Sequence, residues 1–311
     1  MSAKITVMGI YVADLSFWAA RLPVMGETLL GTDFSTGPGG KGSNQAVAAR
    51  RAGAEVSFIT KIGRDELGKQ VRQMYRDEGI DQDFVLESDS LPTGAAFIFK
   101  DEKTGDNAII VVPGAATDLG PADVEKAEAA IAASAVFATQ LETPIETGQR
   151  GLEIARRHGV TTILNPAPSA PLPEAIYGLV DYFTPNETEA SDLAGLPVET
   201  LEQAEAAADV FLQRGVGTAI ITLGGQGVLL KDGSGAAHIP AYDAGSVVDT
   251  TGAGDAFNGG LATGLAKGLD ARAAARFGCA VGGLSVTKEG TAPSMPRADE
   301  IEALLRQHAD A

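Results

Sequence analysis

The sequence predicts an α/β fold in which helices cover both faces of a mostly parallel central sheet, a three-layer α/β/α arrangement, with a small β-sheet lid attached. Short β-rich runs alternate with helical patterns for most of the chain, and each run ends in polar or glycine residues. This alternation is typical of parallel strands joined by crossover helices. Two segments, 12–36 and 92–112, carry strand patterns without intervening helices, and they predict the lid.

Six buried strands are predicted from the runs KITVMG, VSFITKIG, SAVFATQLE, VTTILNPAP, YFTPNE and TAIITLGGQG. Helical patterns between them cover 64–78, 144–158 and 199–214. In such sheets ligands bind at the carboxyl ends of the strands. The sequence places a row of polar residues at those ends: Glu142, Asn165, Asn186 and Thr222. A sheet with a purely structural role would not require this row, so we expect a ligand site along this edge.

The length predicts one large α/β domain with an attachment, or two domains, and we interpret residues 1–311 as one cytoplasmic domain into which the lid is inserted. The chain has 311 residues, of which 44% are hydrophobic, and this is enough for a sizeable core. A net charge of −17 argues against nucleic acid as a partner, because phosphate backbones are bound by clusters of Lys and Arg. The single cysteine, Cys279, excludes an intrachain disulfide. No signal peptide and no run of membrane-spanning length is recognised, so no membrane is expected as a partner.

The second lid segment reads as a β-hairpin. It has the sequence PTGAAFIFKDEKTGDNAIIVV, in which two apolar runs flank the polar stretch EKTGDN at 102–107. A polar stretch with glycine between two strand patterns predicts a turn. Because the two lid segments are far apart in the chain, we expect a small sheet that is inserted into the main domain.

The stretch GPGGKGSNQAVAARRAG, residues 37–53, predicts a glycine-rich turn and an alanine-rich helix that ends at Gly53. It is not a phosphate-binding loop of the Walker A type, because Ser35 replaces the first glycine and Gly42 follows the lysine. Glycines around Lys41, with Asn44 one turn away, suit a small polyhydroxylated ligand. The alternative is a tight turn with a solvated lysine.

The stretch VVDTTGAGDAFNGG, residues 247–260, is the strongest local signal. The amides of Gly252, Ala253 and Gly254 are placed at a helix N-terminus, where backbone N–H groups bind anions. A carboxylate beside an anion should repel it unless the carboxylate accepts a proton, so Asp255 is the candidate general base. The alternative treats Asp255 as a first-turn residue that the helix dipole favours, and it leaves the glycines unexplained. The nearby SVTKEGTAPS, residues 285–294, supplies a second oxygen-rich loop.

Two further motifs are weak on their own. TLGGQGVLL, residues 222–230, predicts a strand, a glycine turn and another strand, and it fits either a nucleotide loop or a simple chain reversal. In TPNETEA, residues 184–190, Asn186 is either a functional residue or a helix cap with Glu189 as its partner in a capping box.

Taken together, these motifs resemble the ribokinase family, the PfkB-type carbohydrate kinases, along essentially the whole chain. The resemblance rests on the signatures GGKGSNQAVAARRAG and DTTGAGDAFNGG, with TGAAFIF, QLETP, NPAP, PNETE and ITLGGQG between them in family order. It implies an ATP-dependent kinase that acts on the primary hydroxyl of a pentose, with D-ribose as the leading candidate. It also implies Mg²⁺, K⁺ and a homodimer that forms through the lid.

The resemblance also implies a role for each matching residue. Asp255 would be the general base, and Gly252, Ala253 and Gly254 would form the anion hole. Sugar hydroxyls would be held by Asp14, Gly40, Lys41, Asn44, Glu142 and Asp255. Mg²⁺ and phosphate would be organised by Asn186 and Glu189, and the nucleotide loop would contain Thr222, Gly224 and Gly227. The K⁺ ligands would be the side chains of Asp249 and Ser294 and the carbonyls of Thr251, Ser285, Lys288 and Gly290.

One departure from the family pattern bears on the substrate. Members similar to this chain usually carry Asn two residues before the lid aspartate, where Val12 stands here, and Ala116 replaces a second, frequent Asn. The loss of a hydrogen-bonding group leaves a kinase for another sugar or a nucleoside as an alternative. A non-catalytic sugar-binding regulator is a further alternative, against which the intact Asp255 and glycines argue. A dinucleotide dehydrogenase is disfavoured, because no G-x-G-x-x-G follows the first strand.

Overall fold

The computed structural model describes residues 3–104 and 106–308. Within these ranges, the central sheet comprises β1 (Lys4–Met8), β4 (Glu55–Gly63), β5 (Val85–Ser88), β8 (Val136–Thr139), β9 (Thr161–Leu164), β10 (Tyr182–Phe183), β11 (Thr218–Thr222), β12 (Val228–Asp232) and β13 (Gly235–Ile239). Their order is β13-β12-β11-β10-β9-β8-β1-β4-β5. All neighbours pair in parallel except β11 with β12 and β12 with β13. The predicted mostly parallel sheet is confirmed.

A separate four-stranded sheet contains β2 (Val12–Ala19), β3 (Asp33–Gly39), β6 (Thr93–Asp101) and β7 (Asn107–Gly114). β2 pairs antiparallel with β3 and parallel with β6, and β6 pairs antiparallel with β7. Strands from both predicted lid segments therefore meet in one sheet, although β3 continues beyond residue 36 and β7 beyond residue 112. Gly105, in the predicted hairpin turn, lies outside the described residues.

Helices cover both faces of the central sheet. They are α1 (Lys41–Arg51), α2 (Glu66–Glu78), α3 (Pro121–Lys126), α4 (Glu128–Ala132), α5 (Ile145–Arg157), α6 (Glu174–Tyr177), α7 (Glu187–Ala194), α8 (Leu201–Gln213), α9 (Ala253–Ala266), α10 (Ala271–Ser285) and α11 (Ala298–Gln307). One apolar core holds side chains of α1, α2, α9, α10 and α11, and another holds side chains of α3 to α8. The three predicted helical stretches correspond to α2, α5 and α8. In the described part of the chain, no helix has both the length and the apolar character that a membrane crossing requires.

The helices that carry the two signature motifs pack unusually closely. A Cβ added at Gly259 of α9 would lie 2.5 Å from the Cβ of Ala48 on α1, and one added at Gly260 would lie 2.7 Å from Val281 Cγ2 on α10. Interiors are packed at crystal-like density, so these positions have no room for a side chain. The glycine pair that ends the DAFNGG motif thus has a structural role. Gly259 lets α9 approach α1, and Gly260 lets α9 approach α10.

Candidate active site

The first turns of α1 and α9 bring together residues from opposite ends of the chain. Gly40 precedes α1 with a φ of 90°, a backbone conformation that favours glycine, and the helix begins at Lys41. Asn44 Nδ2 donates a hydrogen bond of 2.9 Å to Asp255 Oδ2 in the first turn of α9. The Lys41 amide donates at 2.8 Å to Oε2 of Glu142, which lies three residues after the end of β8. Two pairs of predicted sugar-site residues, Asn44 with Asp255 and Lys41 with Glu142, are thus joined by direct hydrogen bonds.

The candidate base is held by a network of buried amide side chains. Gln45 Nε2 lies 3.2 Å from Asp255 Oδ1 and 3.2 Å from Asn165 Oδ1, and Gln140 Nε2 donates to Gln45 Oε1 at 2.6 Å. The sequence predictions did not include Gln45 and Gln140. No sequence signal singles them out, because Gln45 follows the polar Ser43 and Asn44, and the burial that makes an amide side chain require a partner is visible only in the structure. Gln45 fixes one carboxylate oxygen of Asp255, and Asn44 fixes the other.

Burial raises the pKa of the acidic groups at this site. The pKa of Glu142 rises to about 7, because burial outweighs the favourable charge of Lys41. The pKa of Asp255 is also raised by burial, against the opposing effects of Lys41, Asn44 and Gln45. Burial alone would lower the pKa of Lys41, but the surrounding carboxylates outweigh it and raise the pKa. Lys41 therefore remains a cation, and Asp255 has greater basicity than an exposed aspartate.

Asp14 lies on the lid, on the side of the sheet that faces the other loops of the site. Burial raises the pKa of Asp14 to about 6, with Lys100 acting in the opposite direction. Lys100 Nζ lies 3.8 Å from Glu289 Oε1 in the 285–294 loop. A Cβ on Gly39 would overlap the Asp14 carboxylate, so this position of the neighbouring strand β3 requires a glycine. The lid thus reaches the loop that follows α10.

The predicted nucleotide residues line a cleft of about 540 Å³. Thr222, Gly224 and Gly227 border this cleft, and so do Ala253 and Gly254 of the predicted anion hole. Sequence reasoning missed its apolar walls, which include Tyr242, Val247, Phe257, Cys279 and Val286. A cleft with apolar walls at one side and a helix N-terminus at the other suits a nucleotide, which combines a flat base with phosphates.

The three residues of the predicted anion hole lie at the start of α9. Gly252 is the N-cap of α9 with a φ of 80°, in the left-handed region that favours glycine. The amide of Ala253 donates to the carbonyl of Thr250 at 3.2 Å, so this donor already has an acceptor in the loop. The three predicted amides are therefore not equivalent. Those of Gly252 and Gly254 are the better candidates for binding phosphate.

Asn186 and Glu189 form the capping box that their sequence motif suggests as an alternative to a functional role. Asn186 caps α7, its side chain accepts from the Glu189 amide at 2.8 Å, and Glu189 Oε2 accepts from the Asn186 amide at 2.9 Å. Glu189 is buried and is one of the charges that raise the pKa of Lys41. Over residues 3–104 and 106–308, no cluster of three or more His, Cys, Asp or Glu could hold a metal.

The predicted K⁺ ligands lie in two loops that Asp249 ties together. Asp249 Oδ1 accepts from the Thr251 amide at 2.9 Å, and Oδ2 accepts from the Gly290 amide at 3.1 Å. Burial would raise the pKa of Asp249, but these hydrogen bonds outweigh it and lower the pKa. The remaining predicted ligands, Ser285, Lys288 and Ser294, lie along the second loop. The donor set consists of oxygens alone, which fits a hard cation.

The sequence matches the pfkB family of carbohydrate kinases over residues 2–298. The chain belongs to this family. Ribokinase of Haemophilus influenzae is 40% identical over 309 residues, covering 99% of this chain and 100% of that protein. Deoxyribokinase of Salmonella typhi is 34% identical over 302 residues, covering 97% of this chain and 98% of that protein. Among solved structures, ribokinase of Arabidopsis thaliana complexed with ribose and ATP has a TM-score of 0.93 at 31% identity, covering 98% of this chain and 99% of that chain.

Proposed function

We propose that this carbohydrate kinase transfers the γ-phosphoryl group of ATP to the primary hydroxyl of a pentose, with D-ribose as a substrate. The relatives that act as ribokinases support this reaction, since they match almost the whole chain. The observation that carries the proposal is the position of Asp255. Its carboxylate accepts a hydrogen bond from Asn44 on the sugar side, while Ala253 and Gly254, immediately before it, border the nucleotide cleft.

The proposed reaction needs positioning and one proton acceptor. Asp14, Lys41, Asn44 and Glu142 would hold the sugar so that its primary hydroxyl meets Asp255. As the hydroxyl oxygen forms a bond to the γ-phosphorus, the bond from that phosphorus to the leaving oxygen of ADP breaks, and the hydroxyl proton passes to the Asp255 carboxylate. Backbone amides at the start of α9 would stabilise the charge on the transferring group.

Two cations complete the proposed site. Mg²⁺, when bound, neutralises phosphate charge; the chain would meet it through water near Asn186 and Glu189, since both side chains already serve as caps. K⁺ would be held by Asp249 and Ser294 and by the carbonyls of Thr251, Ser285, Lys288 and Gly290. These oxygens flank the loop whose amides face phosphate, so a cation there would favour the anion-binding arrangement of that loop.

We also infer that the lid segments, 12–36 and 92–112, close over the sugar and form the contact of a homodimer. The outer face of the lid exposes large apolar side chains: Phe17 at 40%, Phe34 at 53%, Ile110 at 65% and Val112 at 58%. The rings of Phe17 and Phe34 are 4.8 Å apart, those of Phe17 and Phe97 are 5.5 Å apart, and Phe97 pairs with Ile110, so the surface is continuous across the sheet. Contiguous exposed apolar patches are typical of protein–protein interfaces. A second copy of the chain would cover it.

The direct test is sugar-dependent formation of ADP with Mg²⁺ and K⁺ present. We expect D-ribose to stimulate ADP formation, and we expect phosphorus NMR of the product to show a phosphomonoester on the primary carbon. D-fructose and adenosine serve as alternative acceptors. Turnover with one of these acceptors but not with D-ribose would show that the substrate belongs to another class, and the proposed mechanism would still apply. Sugar binding without ADP formation would instead support a non-catalytic regulator.

A further inference from the structure

Thr291, in the loop between α10 and α11, contacts both halves of the proposed site. Its hydroxyl donates a hydrogen bond of 2.7 Å to the carbonyl of Pro38, which belongs to the glycine-rich segment that leads into α1. We call this segment, residues 37–40, the sugar turn. Thr291 also packs against Gly252, since a Cβ added there would lie 3.4 Å from Thr291 Cα and 3.5 Å from its Cγ2. One residue thus contacts the sugar turn and the first residue of the predicted anion hole.

The loop that carries Thr291 is anchored to the rest of the fold on both sides of this residue. Before it, the Gly290 amide donates to Asp249 Oδ2 at 3.1 Å. After it, Nη1 of Arg51 on α1 donates at 2.9 to 3.2 Å to three carbonyls of the loop, those of Ala292, Pro293 and Met295. Arg51 is itself held by Glu78 of α2, to which its Nε donates at 3.0 Å. The backbone at Thr291 is therefore held by contacts within the protein.

The sugar turn has little else that holds it to this loop. The two segments border a cavity of about 350 Å³, whose lining includes Gly37 and Pro38 from the turn and Ala292 and Pro293 from the loop. Protein atoms do not fill the space there. In the described part of the chain, the bond from Thr291 to Pro38 is the only side-chain hydrogen bond that joins the turn to the loop. The position of the sugar turn relative to the anion hole therefore depends on this hydroxyl.

Resting on the proposed kinase activity, we propose that Thr291 is a positioning residue that aligns the bound sugar with the transferring phosphoryl group. Its hydroxyl fixes the sugar turn, and its carbon atoms support Gly252, so that both segments are aligned on one residue. Phosphoryl transfer depends on such alignment, and a misplacement of about 1 Å can lower the rate on the order of a hundredfold. Thr291 acts through these two neighbours and takes no part in the bond changes.

The test compares Thr291→Val with Thr291→Ser. Valine keeps the branched shape that packs against Gly252 but cannot donate to Pro38, whereas serine keeps the hydroxyl. We expect kcat with D-ribose to fall about tenfold in Thr291→Val and to stay within about threefold of the wild type in Thr291→Ser. The dissociation constants of D-ribose and of a non-hydrolysable ATP analogue, measured by calorimetry with Mg²⁺ and K⁺, should stay within about threefold in both variants, because each ligand keeps its own contacts.

Thr287→Val is the matched control. It removes a hydroxyl from the same loop, but this hydroxyl donates at 2.8 Å to the Leu284 carbonyl at the end of α10, so kcat should stay within about twofold of the wild type. If Thr291→Val does not fold, Thr291→Ala takes its place with the same expectation.

Three results would overturn the role of Thr291. One is an unchanged kcat in the variant without the hydroxyl, another is an equal fall in Thr291→Ser or Thr287→Val, and the third is a loss of ligand binding that accounts for the whole effect. If the wild-type enzyme forms no ADP with any pentose, the proposed function itself fails, and the inference fails with it.

Discussion

Glu142→Gln should stabilise the protein at alkaline pH while weakening its hold on the sugar. Glu142 is half-buried and its pKa is raised from 4.5 to about 7. The folded protein binds this proton more tightly than the unfolded chain does, so its contribution to stability is full at low pH and is lost as pH rises through 7. Integrated from pH 5 to pH 8, that loss is about 2 to 3 kcal/mol. Glutamine does not titrate, and its oxygen can still accept from the Lys41 amide.

The assay is urea unfolding of the wild type and the variant at pH 5 and pH 8. We expect the free energy of unfolding of Glu142→Gln, relative to the wild type, to be higher at pH 8 than at pH 5 by about 2 to 3 kcal/mol. Glu146→Gln, at an exposed position of α5, is the matched control and should show the same difference at both pH values. Activity should show a KM for the sugar raised at least tenfold, because a charged acceptor is lost. An identical stability difference at pH 5 and pH 8 would refute the reasoning.

Three more results are expected. The kcat/KM for the sugar should rise between pH 5.5 and 8, because Asp14, with a pKa of about 6, and Glu142, with a pKa of about 7, accept the stronger, charge-assisted hydrogen bonds from hydroxyls only after losing their protons; a flat profile would contradict this. At equal ionic strength K⁺ should give a higher kcat than Na⁺, and equal rates would count against the cation site. In sedimentation velocity, Ile110→Asp should yield a monomer, whereas Leu196→Asp, at an exposed turn, should remain a dimer. If Ile110→Asp is still a dimer, the lid is not the dimer interface.

The architecture could be predicted in full outline because its signals are local. A buried strand followed by a polar residue and a helical pattern recurs along the chain, and each predicted strand of the central sheet is present. The pairing of β2 with β6 could not be predicted, since a parallel pair between segments about eighty residues apart has no local signature. The same applies to the strand order of the central sheet.

The candidate active site also contains residues that could be predicted from the sequence and residues that could not. Lys41, Asn44 and Asp255 could be predicted, because they lie in glycine-rich motifs that a purely structural role does not explain. Gln45 and Gln140 could not, because their role comes from a chain of hydrogen bonds between α1 and the end of β8 that exists only in the folded protein. The apolar walls of the nucleotide cleft were also missed, since in sequence such residues look like ordinary core.

The two signature motifs also show why glycine counts can mislead. Gly252 is required by its positive φ at the start of α9, and this fits the predicted anion hole. Gly259 and Gly260 belong to the same motif but are required by close packing against α1 and α10. A motif of this kind therefore combines chemical and structural requirements, and only the structure separates them.

The most direct test of Asp255 as the general base is the rate of phosphoryl transfer to D-ribose by Asp255→Asn. The variant keeps the shape of the side chain and an oxygen that can accept from Asn44 or Gln45, but it cannot take a proton. We expect kcat to fall by a factor on the order of 10³, with ATP binding nearly unchanged. Asp209→Asn, which removes a surface carboxylate from α8, should retain wild-type activity. Turnover by Asp255→Asn within tenfold of the wild type would contradict the assignment.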